Sequence, residues 1–132
     1  MTMVRINRKK LEELFEKFKS EMGDALVASD IWDRKTATPI IAHNTQPVAV
    51  ALFNRISEYL DKTLEESHFP PVNRYYLIDT VDNKVVVIVY LHPEFIQGIL
   101  ADISKIQIGL LINYIVPMMI EGFKEVVEES QG

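Results

Sequence analysis

The sequence contains no cysteine, and this absence excludes disulfides, zinc–thiolate sites and thiol nucleophiles. It also lacks a glycine-rich phosphate loop, a GxSxG nucleophile elbow and an HExxH zinc motif. No catalytic signature stands out from the remaining residues. We therefore predict that the chain is not an enzyme, that it has no catalytic residues, and that it holds neither a metal nor a cofactor.

Positive charge is scarce, because 14 lysines and arginines face 19 aspartates and glutamates, for a net charge of −5. The one basic cluster, Arg5 to Lys10, is followed at once by glutamates. Nucleic-acid binding needs a concentrated positive field, so we expect no nucleic-acid partner. The N-terminus has no apolar signal core, and we expect a cytoplasmic protein.

A long uncharged stretch, Ile106 to Ile120, raises the question of a membrane span. As an α-helix this stretch would be about 22 Å long, shorter than the hydrocarbon core of about 30 Å. It also contains Gln107 and Asn113. We therefore predict no membrane span but a buried helix, bent near Asn113 because Pro117 cannot donate a backbone hydrogen bond.

Hydrophobic periodicity and turn residues predict a chain order of helix, hairpin, helix, hairpin, helix. The fold class is α/β of the α+β type: a single antiparallel sheet with helices packed on it, in the order α-β-β-α-β-β-α. It forms one domain over 8–128, with flexible ends at 1–7 and 129–132. Pro39 restricts the second strand to a sheet edge, and Val85–Leu91 is apolar enough for a strand covered on both faces. The predicted elements are Arg8–Met22, Ala25–Trp32, Thr36–His43, Pro47–Glu66, Arg74–Val81, Lys84–Leu91 and Ser104–Glu128.

The second predicted helix has an apolar arc of about 200°, wider than a single sheet contact needs. One interpretation is a well-buried helix. The other is a helix with two contacts, the sheet on one flank and a partner on the other. The face expected to cover the sheet carries Val48, Leu52, Ile56, Tyr59 and Leu60. We predict that the dimer or partner interface is formed by Ala49, Val50, Phe53, Ser57 and Leu64.

Four stretches, which together span most of the chain from Leu11 to Phe123, resemble a known family by pattern. They are ALVASDIWDRKTATPIIAHN, PVAVALFNRISEYL, YYLIDTVDNKVVVIVYL and IQIGLLINYIVPMM.

These stretches resemble the roadblock/dynein-light-chain family, which has a profilin-like fold. Gly109-Leu110-Leu111 is similar to the glycine-leucine step early in the last helix of that family. The resemblance implies a non-enzymatic interaction module that forms a homodimer and acts as a regulator or scaffold for a small Ras-like GTPase.

The sequence departs from the family between the second and third helices, where the family has three strands and we predict two. HFPPVN, His68–Asn73, stands where the missing strand should begin. PEFIQGILADI, Pro93–Ile103, looks like an insertion that is a short helix or irregular.

Two other functions stay open from the sequence. One is a small-molecule sensor of the PAS or GAF type, with a ligand between sheet and helices. The other is a metal or acid–base site, because His43 and His92 lie at predicted strand ends and could converge near Asp30 or Asp79.

Overall fold

The computed structural model describes the backbone of residues 2–131 and the side chains of residues 4–128. It confirms the α+β class, with helices packed on an antiparallel sheet. The elements are β1 (Thr2–Ile6), α1 (Arg8–Met22), β2 (Leu26–Asp33), β3 (Thr38–His43), α2 (Pro47–Glu66), β4 (Tyr75–Asp79), β5 (Lys84–His92), β6 (Phe95–Asp102), α3 (Ile108–Leu110), a π-helical segment (Leu111–Ile115), α4 (Val116–Val126) and β7 (Val127–Gln131).

The main sheet has five antiparallel strands in the order β3-β2-β6-β5-β4. β3 lies at the edge, as predicted from Pro39, which cannot donate to a ladder. β5 lies between two strands, and its side chains enter apolar clusters on both faces, as its unbroken apolar run predicted.

The central strand β6 corrects the predicted order, because we expected Pro93–Ile103 to be helical or irregular. β6 pairs with β2 on one side and β5 on the other, so the third family strand follows β5 and does not begin near His68–Asn73. The strand pattern was hidden by Gln97 and Gly98, which interrupt the apolar residues of Phe95–Asp102. A Cβ on Gly98 would lie 3.0 Å from the ring of Trp32, so the glycine is needed for packing that the sequence alone does not reveal.

The flexibility expected of 1–7 and 129–132 stays a prediction, but the described ends contain strands. β1 and β7 pair with each other in a second, two-stranded sheet, so the main sheet is not the only one. Val4, Ile6 and Val127 pack against the apolar core, which ties the pair to the domain. Asn7 then begins α1 by accepting a hydrogen bond from the backbone N–H of Lys10.

One face of the main sheet is covered by α1 and α4 through apolar side chains. Phe15 and Phe18 of α1 stack with their ring centroids 5.5 Å apart, and Phe123 of α4 lies 5.5 Å from Phe95 of β6. All four side chains are buried. Burial of a side chain of this size contributes about 1.5–3 kcal/mol, so this face supplies the larger part of the apolar core.

The uncharged stretch noted in the sequence forms the last helical region, which begins at Ile108. None of the helices in the described part of the chain is long and apolar enough to cross a membrane. The segment Leu111–Ile115 is π-helical, and the N–H of Val116 donates to the carbonyl of Leu111, five residues back. Pro117 follows at the start of α4 and has no backbone N–H to donate. The π-helical turn before it changes the hydrogen-bond pattern, so the helix continues without a bond from this residue.

Candidate functional site

The second face of the main sheet is covered by α2, whose inward side carries both apolar and polar residues. Its buried residues are Val50, Asn54 and Ser57. Four large apolar side chains are exposed instead, and at about 100° per residue they fall within about 80° of each other. We call them the apolar stripe: Val48 (74% exposed), Leu52 (49%), Ile56 (46%) and Tyr59 (75%).

Hydrogen bonds to the sheet hold α2 in this rotation. The indole Nε1 of Trp32 donates to Oδ1 of Asn54 at 3.0 Å, and Nδ2 of Asn54 donates to the carbonyl of Arg34 at 2.9 Å. The hydroxyls of Ser57 and Tyr76 are 2.8 Å apart. Because buried polar groups are costly when unpaired, these contacts determine which side of α2 faces the sheet.

A charged group continues this contact along α2. The carboxylate of Asp61 accepts from the Arg34 guanidinium at 2.8 Å and from the Tyr90 hydroxyl at 2.7 Å. The Arg34 guanidinium also lies over the Tyr90 ring, 5.1 Å from its centroid. Burial, followed by the hydrogen bond to Asp61, raises the pKa of Tyr90 well above its usual value. Tyr90 is therefore a neutral donor that holds Asp61 against the sheet.

The N-terminus of α2 is positioned by Asp30 of β2, which is buried. Its carboxylate accepts from the hydroxyl of Thr45 at 2.6 Å and from the backbone N–H of Gln46 at 3.0 Å. Pro47 occupies the first turn, as the sequence predicts. The start of α2 is thus held by a carboxylate of the sheet, where many helices use a side chain of their own first turn.

Beside the first turns of α2 lies a cavity of about 190 Å³ between the helix and the main sheet. Its walls come from α2 and from the three inner strands β2, β6 and β5. Most of the lining is apolar, and Asp30 is among its few polar residues. The side chains that shape it include Ala28, Trp32, Phe53, Val86, Ile88 and Leu100.

The predicted interface residues lie mostly on the inner side of α2. Val50 and Ser57 are buried against the sheet. Ala49, Phe53 and Leu64 are half-buried, and the first two line the cavity. The expectation that the apolar stripe faces the sheet is wrong, since its four side chains are exposed. The predicted interface itself stays a prediction. The signal that could have shown this orientation is the spacing of Asn54, Ser57 and Asp61, which places them on one side of the helix. Their hydrogen-bond partners lie on β2, β4 and β5 and, for Arg34, directly after β2.

The histidine hypothesis is wrong, because strand register separates the two histidines. His43 pairs opposite Ser29, whereas His92 pairs opposite Phe95, at the other end of the main sheet. Asp79 lies opposite Val85, away from His92. Within the described residues, no three histidine, aspartate or glutamate side chains come together as a metal site.

Comparisons with solved structures place this arrangement among known folds. MglB from Myxococcus xanthus superposes with a TM-score of 0.74 at 8% identity, over 98% of each chain. A Roadblock/LC7 domain from Streptomyces avermitilis gives 0.63 at 9% identity, over 86% of this chain and 93% of that one. An MglB structure with a tetrameric arrangement gives 0.67 at 8% identity, over 90% and 91%.

No family model and no curated protein matches the sequence. At these identities, the structural similarities establish the fold alone. The chain has the roadblock fold, which confirms the profilin-like architecture expected from the sequence.

Proposed function

We propose that this chain is a non-enzymatic, homodimeric regulator or scaffold for a small Ras-like GTPase, and that it acts in the cytoplasm. The roadblock fold supports a regulatory module of this kind. The MglB structure with a tetrameric arrangement supports self-association. The observation that carries the proposal is the apolar stripe of α2.

The apolar stripe is a candidate interface because its four side chains are neighbours on the helix surface and are 46–75% exposed. From Val48 to Tyr59 it extends about 16 Å along the helix at 1.5 Å per residue. Contiguous exposed apolar surface on a folded domain marks an interaction site. A second copy would bring a matching stripe, so two α2 helices can cover each other around a twofold axis.

A binding role also fits the polar groups beneath α2. Asn54, Ser57 and Asp61 bond to groups of the chain itself, and each has a partner that holds the helix in place. Such groups position a surface and leave little capacity for acid–base chemistry at that place. The second candidate function, a PAS- or GAF-like sensor, is favoured by the cavity between α2 and the sheet.

The first test is the mass in solution, measured by size-exclusion chromatography with light scattering over a dilution series. We expect twice 15.2 kDa for the wild type. Leu52→Asp should give the monomer mass with an unchanged circular dichroism spectrum, since Leu52 is half exposed. Lys62→Asp, which places the same charge on an exposed position outside the apolar stripe, should stay dimeric.

Phe53→Asp is a poorer variant, because Phe53 lines the cavity and a charge there also disturbs the fold. A monomer at every concentration would refute the homodimer. A dimer that survives Leu52→Asp would refute the apolar stripe as its interface.

The GTPase part is tested separately, by calorimetry with purified Ras-like GTPases from the source organism, loaded with GDP or a non-hydrolysable GTP analogue. We expect binding to one nucleotide state in preference to the other. Equal binding to both nucleotide states would contradict a regulatory role. If none of the GTPases binds, the GTPase partner is refuted and the homodimer proposal is unaffected.

A further inference from the structure

The cavity between α2 and the main sheet has the size of a single aromatic group. Its volume is about 190 Å³. An engineered apolar cavity of about 150 Å³ is enough to bind benzene, whereas pockets for drug-sized ligands are about 300–1,000 Å³. The space therefore admits one ring or a fused pair of small rings.

The walls of the cavity are apolar and held in place before any ligand arrives. Trp32 is fixed by its hydrogen bond to Asn54 on one side and by close contact with Gly98 on the other. Ile88 and Val86 of β5 and Phe53 of α2 complete the apolar lining. A preformed wall lowers the ordering cost of binding, because few side chains must be immobilised.

Asp30 gives this apolar space one polar contact. It is 4% exposed, and each of its two carboxylate oxygens accepts one hydrogen bond, from Thr45 and from Gln46. An ionised carboxylate offers about four acceptor sites. Acceptor capacity therefore remains on a charged group that lines the cavity, and an N–H or O–H donor of a ligand would satisfy it.

We propose that this cavity binds a small aromatic molecule that carries one N–H or O–H donor, with its ring against Trp32 and its donor directed at Asp30. An indole or a phenol has this chemistry. The site lies on the inner side of α2, away from the apolar stripe, so it holds whether or not the chain dimerises.

The test is a titration of the whole protein with indole and, in parallel, with benzofuran, which has the same shape but an oxygen in place of the N–H. The chain has one tryptophan, so the Nε1–H signal of Trp32 in a ¹H–¹⁵N spectrum reports on the cavity without ambiguity. We expect a saturable shift with indole. Benzofuran should bind about tenfold more weakly, since a hydrogen bond to a charged group contributes more than 1.4 kcal/mol.

Variants that fill the cavity test whether indole binds there. Val86→Phe and Leu100→Phe each add bulk at half-buried lining positions and should abolish the indole shift while the protein stays folded. Val81→Phe adds the same ring at an exposed position after β4, outside the cavity, and should leave the shift unchanged.

Three results would overturn the proposal. No saturable shift up to the solubility limit of indole would refute the site. Indole binding that survives both filling variants would place the probe elsewhere. Equal affinity for indole and benzofuran would refute the contact with Asp30.

Discussion

The two faces of the main sheet are covered in opposite ways. Against one face, α1 and α4 place apolar side chains such as Phe18, Met119 and Phe123, and the polar groups buried there, Ser29 and Gln97, belong to the sheet itself. Against the other, α2 places Asn54 and Ser57, and hydrogen bonds make much of the contact. The first contact is strong and has little directional preference. The second is weaker, but it fixes the rotation of α2 about its own axis.

The difference explains why an amphipathic helix exposes apolar residues. If α2 turned by half a revolution, the apolar stripe would be buried, but the indole Nε1 of Trp32 would lose its acceptor. Arg34 and Tyr90 would lose Asp61 as well. Unpaired buried polar groups cost about 1–3 kcal/mol each, so the polar contact opposes that rotation.

The largest expected effect tests the apolar face. Phe123→Ala removes a fully buried ring and should lower the free energy of unfolding by about 3–5 kcal/mol, because a cavity is left in the core. Equilibrium unfolding in urea measures it. The assignment of stability to this face fails if the loss is smaller than that of Asn54→Ala.

The next effect tests the polar face. Asn54→Ala leaves the Trp32 indole N–H and the Arg34 carbonyl without a partner and should cost about 1–3 kcal/mol. The neighbouring exposed residue provides the control, Arg55→Ala, which should change stability little. An unaltered Trp32 Nε1–H chemical shift in Asn54→Ala would contradict the hydrogen bond.

A smaller effect is expected at Asp61, whose side chain is 36% exposed, beside Arg34 at 17%. Asp61→Asn removes the charge but keeps an acceptor for Tyr90, so the loss should be about 1 kcal/mol or less. Added salt should reduce the difference from the wild type, because it screens the ion pair. The loss from Phe123→Ala should not depend on salt in this way, and a difference at Asp61 that is equally insensitive would argue against an electrostatic contact.

The smallest effect appears only at alkaline pH. Because the pKa of Tyr90 is raised in the folded state, its contribution to stability is complete below pH about 10 and is lost as the pH rises further, when tyrosine in the unfolded chain ionises. Wild-type stability should therefore fall more steeply above pH 10 than that of Tyr90→Phe. Parallel pH profiles would show that Tyr90 does not contribute in this way.

Local patterns in the sequence were sufficient for the elements that pack by hydrophobicity. Helix α1 begins and ends as predicted, and Pro39 correctly restricted β3 to the edge. β6 was missed because Gly98 is unfavourable in a strand unless its packing is known. The glycine leaves room for the ring of Trp32, which is distant in sequence and contacts it only in the folded sheet.

The orientation of α2 could not be predicted for a related reason. A helical wheel shows which residues share a side, but the partners that decide between the two sides, Trp32, Tyr76 and Tyr90, lie on three different strands. The side of α2 that faces the sheet was therefore predicted wrongly, and the residues of an interface on α2 stay a prediction.

The pairing of β1 with β7 has a mechanical consequence. The strands are antiparallel, and Thr2 lies opposite Gln131, so a force that separates the two ends of the described chain acts first on that outermost pair. The ladder then opens one pair at a time towards Ile6 and Val127, as a zipper does, at low force. The inner pairs resist more, because Val4, Ile6 and Val127 pack against the core, and next to them the N–H of Asn7 donates to the carbonyl of Val126, whose side chain is buried. Under load the ends would yield separately from the body that carries α2.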